Sequence, residues 1–500
     1  MGNILQAILD YTLAKQTSGV SIVRVEDTDD KRKVDNAVDV MLSTLKQYNL
    51  NFDEGVVASN KSIGEYGPYY QSERKDIYQS YAKQLVEKGL AYPCFCTMDD
   101  EQQIRESQIK ELGEHALTGY YGKWRKCNNL TIEEIENNLK ANKPFTIKFK
   151  SQAKSLDDKI EGEDVTRGKL SMQRWFKDEV ILKSDGQAVY HLAHIVDDYL
   201  MGVNLVVRGS EWLSTYPLHI DLLNALKINH PKYLHNLLLC KIENGSKIKI
   251  SKRKHPECLM SFYEELGYPM EAVRDYMYTL LNSNFEDWRN ANPTADINEF
   301  KVTFNKINAG EVMLDTAKID NISKNVISLM TAEEVYNKFL EYTRKYDNEL
   351  FDFVNKNKKY VTGFLAIDRG GVKPRKDLCK ISEIKDKYHY FFNAPKVDFS
   401  TLNLDNKITK TVLSEYVKIF DIKDDKETWW NKIKTLAETL NFATDNKAYK
   451  ADPTKFNGNI STLANIIRLS LTGETQSVDM YGIMQVLGNA EVIQRLTNAI

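Results

Sequence analysis

Apolar positions along this chain recur at helical spacing in some stretches and gather into short continuous runs in others. Over residues 1 to 15, Ile4, Ile8, Tyr11 and Ala14, with Ala7 between them, predict a helix with one buried face. Val20 to Val25, rich in β-branched residues and preceded by Gly19, reads as a strand. A helix at the start that flows into a strand is the second half of a strand-helix-strand unit. From Pro93 to about Lys177 the pattern changes, with clustered cysteines, a Glu-rich helix opened by the capping box Thr131 and Glu134, and a charged stretch from Asp157 to Lys169. This segment reads as an insertion. Val180 to Lys183 and Val203 to Arg208 return to buried-strand character, with a helix between them and another from Trp212 to Leu226. Alternating strands and helices on both sides of an insertion predict an α/β fold with a split, mostly parallel, doubly wound sheet. A last strand-like run, Leu237 to Cys240, leads through Lys241 into a basic loop, Lys247 to Lys254. Beyond it the pattern is almost wholly helical. Thr331 and Glu334 form a second capping box ahead of Val335, Phe339, Tyr342 and Tyr346, and Trp429–Leu440, Ser461–Leu471 and Met480–Ile500 are amphipathic.

Composition narrows the class without naming it. With 500 residues, 42% hydrophobic and 28% charged, the chain reads as a soluble protein of roughly two to four domains. A net charge of −2 gives no global attraction to nucleic acid, so any such contact must come from local basic patches. No apolar run is long enough for a membrane span, no signal peptide precedes the first helix, and Gln6 spoils a myristoylation start. A cytoplasmic protein with no membrane partner is expected. Six cysteines, Cys94, Cys96, Cys127, Cys240, Cys258 and Cys379, are too scattered for a disulfide framework. The first three are close enough in pattern to begin a tetrahedral zinc site.

Chemistry enters with the basic loop, where Lys241 to Lys254 carries six cations in fourteen residues. Such a run is ordinarily a solvated surface, but it also suits a polyphosphate. Its kernel, Lys249-Ile250-Ser251-Lys252-Arg253, resembles the Lys-Met-Ser-Lys-Ser loop of class I aminoacyl-tRNA synthetases. Four further stretches stand in family order: Arg24-Val25-Glu26-Asp27-Thr28-Asp29, Gly67-Pro68-Tyr69-Tyr70-Gln71-Ser72-Glu73-Arg74, Gly186 to Asp198, and Arg208-Gly209-Ser210-Glu211-Trp212. Together they resemble the bacterial glutamyl-tRNA synthetase family, and the resemblance continues through Arg468 to Gly473 and Ile483 to Gly488, so it spans essentially the whole chain.

The resemblance implies a Rossmann-type catalytic domain in two parts, residues 1–92 and 180–246, around an acceptor-binding insertion at 93–179. A signature loop and helical stem-contact region at 247–323 and an all-α anticodon-binding region at 324–500 follow. It implies glutamate–tRNA ligase activity: L-glutamate attacks ATP, with Mg²⁺, to give glutamyl-adenylate and pyrophosphate, and the acyl group passes to the terminal adenosine of tRNA-Glu. Whether tRNA-Gln is also a substrate stays open, and a monomer is expected. Lys249 and Lys252 are the implied catalytic cations. Gly2, Asn3, Glu211, Trp212, Lys249, Ile250, Ser251 and Lys252 are the implied ATP site, and Glu26, Tyr190, His194 and Arg208 the implied glutamate site. Which carboxylate of glutamate Arg208 meets is not decided. Tyr120 joins Cys94, Cys96 and Cys127 as the implied, structural zinc shell, although Tyr120 and Tyr121 stand further from Cys127 than the family pattern expects.

Three departures from the family matter. His194 stands where Asn is usual, and Lys318 to Ser323 replaces a Trp-containing stretch. The family pattern opens with a strand, an Arg-bearing loop and a His-Ile-Gly-Asn type motif, whereas this sequence starts at Met1-Gly2-Asn3, inside that motif. The expectation is a start upstream of Met1, without which half of the triphosphate site is missing and the chain is nearly inactive. The competing readings are a degenerate, non-enzymatic tRNA-binding homologue and a glutaminyl-tRNA synthetase-like enzyme, the latter disfavoured because that family ends in β-barrels.

Overall fold

A computed structural model describes residues 2–28, 36–250, 254–402 and 404–500. It divides into two compact units, Met1–Cys258 with Met277–Leu314, and Leu259–Tyr276 with Asp315–Ile500.

In the first unit, helix α1 (Gly2–Gln16) leads into strand β1 (Ile22–Val23), followed by helix α2 (Ala37–Gln47) and strands β2 (Glu54–Ala58) and β3 (Lys61–Ile63). Strand β1 pairs in parallel with β2, and Val25 makes one further parallel bridge to Tyr70. The buried face of α1 is Ile4, Leu5, Ile8, Leu9 and Leu13, while Tyr11 and Ala14 are only half-buried. The expected stripe is thus rotated, because a helix whose apolar residues ring most of its surface lets the packing partner choose the face.

Helix α3 (Lys75–Glu87), strand β4 (Ala91–Cys94), helices α4 (Met98–Leu112) and α5 (Ile132–Lys140), and strands β5 (Thr146–Phe149), β6 (Lys159–Asp164), β7 (Gly168–Gln173) and β8 (Glu179–Leu182) follow. Strands β4, β5 and β8 form an antiparallel sheet. The run at Val180 therefore joins the insertion and not the sheet of Val203–Arg208. A short apolar run carries no record of its hydrogen-bonding partner, which is why the sequence placed it elsewhere. Helix α6 (Tyr190–Leu200), strand β9 (Leu205–Gly209), helix α7 (Tyr216–Leu226) and strand β10 (Lys232–Asn236) complete a strand-helix-strand unit in which β9 and β10 run parallel, from Leu205 opposite Lys232 to Gly209 opposite Asn236. Strand β6 adds to the other edge of β10. The core between α3, α6, α7 and this sheet contains Tyr78, Leu85, Leu192, Ile195, Leu222, Leu223 and Tyr233, all nearly inaccessible to solvent.

The expected helix from Trp212 begins four residues later. Ser210–Thr215 forms a tighter 3₁₀ turn, and α7 starts at Tyr216 with Pro217 in its first turn, where the missing N–H costs nothing. Lys247 to Lys249, expected in a loop, belong to a strand. Strands β11 (Leu238–Glu243) and β12 (Ser246–Lys249) form a hairpin over Asn244-Gly245, both at positive φ, and β13 (Glu311–Met313) joins β11 in parallel.

The second unit is helical, apart from loops, among its described residues. Both expected capping boxes are present: in the second unit the Thr331 N–H donates to Glu334 at 2.7 Å, and in the first Thr131 and Glu134 pair the same way. Met480–Ile500 is two helices, Met480–Leu487 and Asn489–Asn498, broken at Gly488, whose φ is 81°. The expected divisions at 92/93, 179/180, 246/247 and 323/324 all fall inside elements, namely β4, β8, β12 and the helix Thr316–Leu329.

Candidate active site

Arg208 and Asn236 lie at the carboxyl ends of the parallel pair β9 and β10, the edge at which open α/β sheets bind ligands. Arg208 is 4% exposed. Its Nε donates to His235 Nε2 at 3.0 Å and its Nη1 to His219 Nδ1 at 2.9 Å, and its guanidinium lies 4.9 Å from the centre of the Tyr233 ring. The remaining nitrogen, Nη2, is buried without a hydrogen-bond partner, although the Tyr190 phenol is close by. Tyr190 and His194, one turn apart on α6, stack at 4.6 Å, and Tyr190 meets Trp212 at 4.4 Å. His194 Nδ1 is 2.8 Å from the Tyr190 carbonyl, which can only accept, so that nitrogen donates and the buried Nε2 is left as an unsatisfied acceptor. Burial, reinforced by the Arg208 charge, holds His191 at a pKa of about 4, and it lowers His194 and His219 well below the ordinary imidazole range.

Glu26, just beyond β1, is 44% exposed and pairs with Arg24 Nη2 at 3.5 Å. Even so, the surrounding walls raise its pKa, with Arg24 opposing and Asp198 reinforcing the shift. Arg24 also binds Asp198 at 2.9 Å. The fully buried Asp197 accepts from Arg74 Nε at 2.6 Å, Tyr78 hydroxyl at 2.7 Å and Gln71 Nε2 at 2.9 Å. The Gly67 to Arg74 motif is therefore framework, tying α3 to α6 beneath the pocket. Asp27 is framework too, accepting from the Ser72 N–H and hydroxyl, and Asp29 lies outside the described residues. Sequence reasoning passed over Asp197, His219 and His235. It also passed over Asp10 on α1, whose carboxyl is pushed up to about 8 by burial and then by Asp198.

A cavity of about 230 Å³ adjoins this edge, and Gly2, Asn3, Glu211, Trp212, Lys249 and Ile250 all line it. Lys249 Nζ is 3.5 Å from Glu211 Oε1, with both side chains about half exposed. A Cβ at position 209 would lie 2.1 Å from Glu211 Oε2, so any larger residue there would displace the Glu211 side chain. Gly2 and Asn3, at the start of α1, line this cavity together with one lysine and one carboxylate among the described residues, a setting suited to phosphate. Ser251, Lys252 and Arg253 lie outside the described residues.

The thiols of Cys94, Cys96 and Cys127 lie within 4.8 Å of one another, with Cys96 and Cys127 at 3.5 Å. Tetrahedral zinc with bonds of about 2.3 Å requires sulfurs roughly 3.8 Å apart, so the set fits that ion. Cys127, accepting from Cys94 and Cys96, is held well below the usual thiol range, while its two neighbours are raised. Folding brings Tyr120 beside Cys96 despite its distance along the chain, and its hydroxyl is 3.1 Å from Glu101 Oε1. Tyr121 turns to the Leu117 carbonyl instead.

Comparison with known proteins covers essentially the full chain. The family described as "tRNA synthetases class I (E and Q), catalytic domain" matches residues 1–320, and "Anticodon binding domain" matches residues 370–500. A glutamate–tRNA ligase of Acetivibrio thermocellus is 43% identical over 498 residues, 99% of this chain and 90% of that protein. One from Clostridium perfringens is 37% identical over 99% of this chain and 91% of its own length. A crystal structure of a glutamate tRNA ligase from Elizabethkingia meningosepticum, in complex with its amino acid, superposes with a TM-score of 0.78 at 25% identity, covering 100% of this chain and 96% of that one. With its catalytic part matched over residues 1–320 and a glutamate–tRNA ligase matched over 99% of its length, the chain belongs to the class I tRNA synthetases of the glutamate and glutamine group.

Proposed function

We infer that the chain is a glutamate–tRNA ligase, activating L-glutamate with ATP and transferring it to tRNA-Glu. The observation that carries this reading is the buried, unpaired Nη2 of Arg208 at the carboxyl edge of β9, a donor placed to meet a carboxylate. Glu26 holds the substrate ammonium at the pocket mouth, and the Tyr190–His194 stack forms one wall. The nucleotide occupies the cavity of Gly2, Asn3, Glu211, Trp212, Lys249 and Ile250. There the α-carboxylate of glutamate attacks the α-phosphate in line, and pyrophosphate leaves. Lys249, with Lys252 from the adjoining segment, neutralises the departing pyrophosphate, and the pocket supplies orientation without a protein nucleophile. Glu211 is the one carboxylate lining this cavity among the described residues, so Mg²⁺ comes with the nucleotide and supplies charge neutralisation on its phosphates.

Zinc held by Cys94, Cys96 and Cys127, with Tyr120 or water completing the shell, is structural in this reading and ties β4 to the turn at Cys127. In the second unit a cavity of about 740 Å³, lined by Trp429, Trp430, Asn465, Arg468 and Asp479, fits an unstacked anticodon base, and Arg468 there carries a buried, unbonded Nε. The test, made on protein expressed from its complete natural reading frame, is charging of tRNA with labelled glutamate, together with tRNA-dependent exchange of pyrophosphate into ATP. Glutamate-dependent charging is expected; charging with glutamine alone, or tRNA binding without any charging, would overturn the assignment.

A further inference from the structure

Arg208 is anchored in an uncommon way. A buried guanidinium is ordinarily fixed by a carboxylate, which orients it and also cancels its charge. The nearby carboxylates here are taken by another cation, since Arg24 binds both Asp198 and Glu26, and Arg208 forms no ion pair among the described residues. Its two bonded edges face imidazoles instead. A ring nitrogen that accepts from arginine carries no proton, so each ring holds its proton on the opposite nitrogen. For His235 that is Nδ1, 2.8 Å from Asp164 Oδ2; for His219 it is Nε2, 2.9 Å from His191 Nδ1. Asp164 is itself pinned by the N–H groups of Thr166, Arg167 and His235. One chain of hydrogen bonds, Asp164 to His235 to Arg208 to His219 to His191, thus has a single consistent set of proton positions. Asp164, His235, Arg208 and His219 are all at least nine-tenths buried.

We propose that His219 and His235 are positioning residues for substrate recognition: as uncharged acceptors they fix two edges of the Arg208 guanidinium without neutralising it, leaving Nη2 and its charge for a substrate carboxylate. The proposal rests on the reading of Arg208 as a glutamate-binding residue. It requires that the acceptor geometry be replaceable while its charge is not. Asparagine at 219 puts an amide oxygen near the place of Nδ1, and glutamine at 235 puts one near Nε2. Aspartate at 219 has the shape of asparagine but pairs with Arg208.

The experiment compares His219→Asn, His219→Asp and His235→Gln in protein expressed from its complete natural reading frame, with kcat and KM measured for glutamate and for ATP and thermal unfolding recorded for each. His219→Asn and His235→Gln should keep the glutamate KM within about fivefold of the parent, whereas His219→Asp should raise it at least tenfold above His219→Asn, with the ATP KM within about threefold. Equal glutamate KM values for the Asp and Asn variants, or a rise shared by ATP, overturn the proposal. Histidine ¹⁵N spectra of the parent provide a readout independent of turnover: His235 protonated at Nδ1 and His219 at Nε2 support it, and the opposite tautomers or a doubly protonated ring overturn it. Absence of glutamate-dependent charging in the parent would instead sink the proposed function, and the tautomers would still decide the anchor.

Discussion

Arg208 shows how much one side chain can carry when its surroundings leave one donor open. If Nη2 meets a glutamate carboxylate inside a shielded pocket, Arg208→Ala should lower kcat/KM for glutamate by at least about 2 kcal/mol. Steady-state kinetics at varied glutamate check this, and unchanged values would place Arg208 outside the pocket. Lys252 is argued from the signature kernel alone, because it lies outside the described residues. Lys252→Ala is expected to slow adenylate formation by about 10² or more with little loss of tRNA affinity, whereas an ordinary surface lysine would leave that rate within about threefold of the parent. Rapid-quench measurement of adenylate distinguishes the two. Residues such as Arg208, Tyr190 and Trp212 were legible because they sit in short motifs. His219 and His235 were not, because a histidine on an apolar helix and another in a buried strand look like core residues until their ring nitrogens are seen to meet one guanidinium.

Elements were legible where local chemistry writes their ends. The Thr331 and Glu334 box was read directly from spacing, and Thr331→Ala should destabilise the second unit by about 1 kcal/mol, measurable by denaturant unfolding. The β11–β12 hairpin was misread although Asn244-Gly245 is its turn signal, because six nearby cations suggested an open loop. Charge describes solvent exposure, and an edge strand is as exposed as a loop. The insertion adds a test of its own. Three thiols within 4.8 Å should hold one zinc per chain in protein purified without chelator, and Cys127→Ser should reduce that content by more than half. Elemental analysis decides it, and a content near zero would leave these cysteines as ordinary buried residues.

At the scale of the molecule, the buried histidines tie stability to pH. His219 is neutral in the fold, with its pKa lowered well below 6.5 by burial, the neighbouring His194 and the Arg208 charge, while the unfolded chain protonates it normally. The unfolded state therefore binds the extra proton as pH falls below about 6.5, and stability drops in that direction, by up to about 1.4 kcal/mol per pH unit for one such group. His219→Asn should flatten the fall between pH 6.5 and 5 relative to the parent, as seen in unfolding midpoints of the first unit; parallel profiles would mean that His219 is protonated in the fold. The sequence alone determined the alternation of strands and helices, the capped helices of the second half, the ordered motifs and the glutamate-ligase chemistry they imply. All of these are written in neighbouring residues, through periodicity, caps and short spacings. Tertiary structure decided which strand pairs with which, so that β8 closes the insertion and not the parallel sheet. It also brought Tyr120 to the cysteines across the chain, rotated the buried face of α1, and suspended Arg208 between two imidazoles. Those outcomes depend on hydrogen bonds and packing between residues far apart in sequence, and such contacts leave no mark in any local pattern.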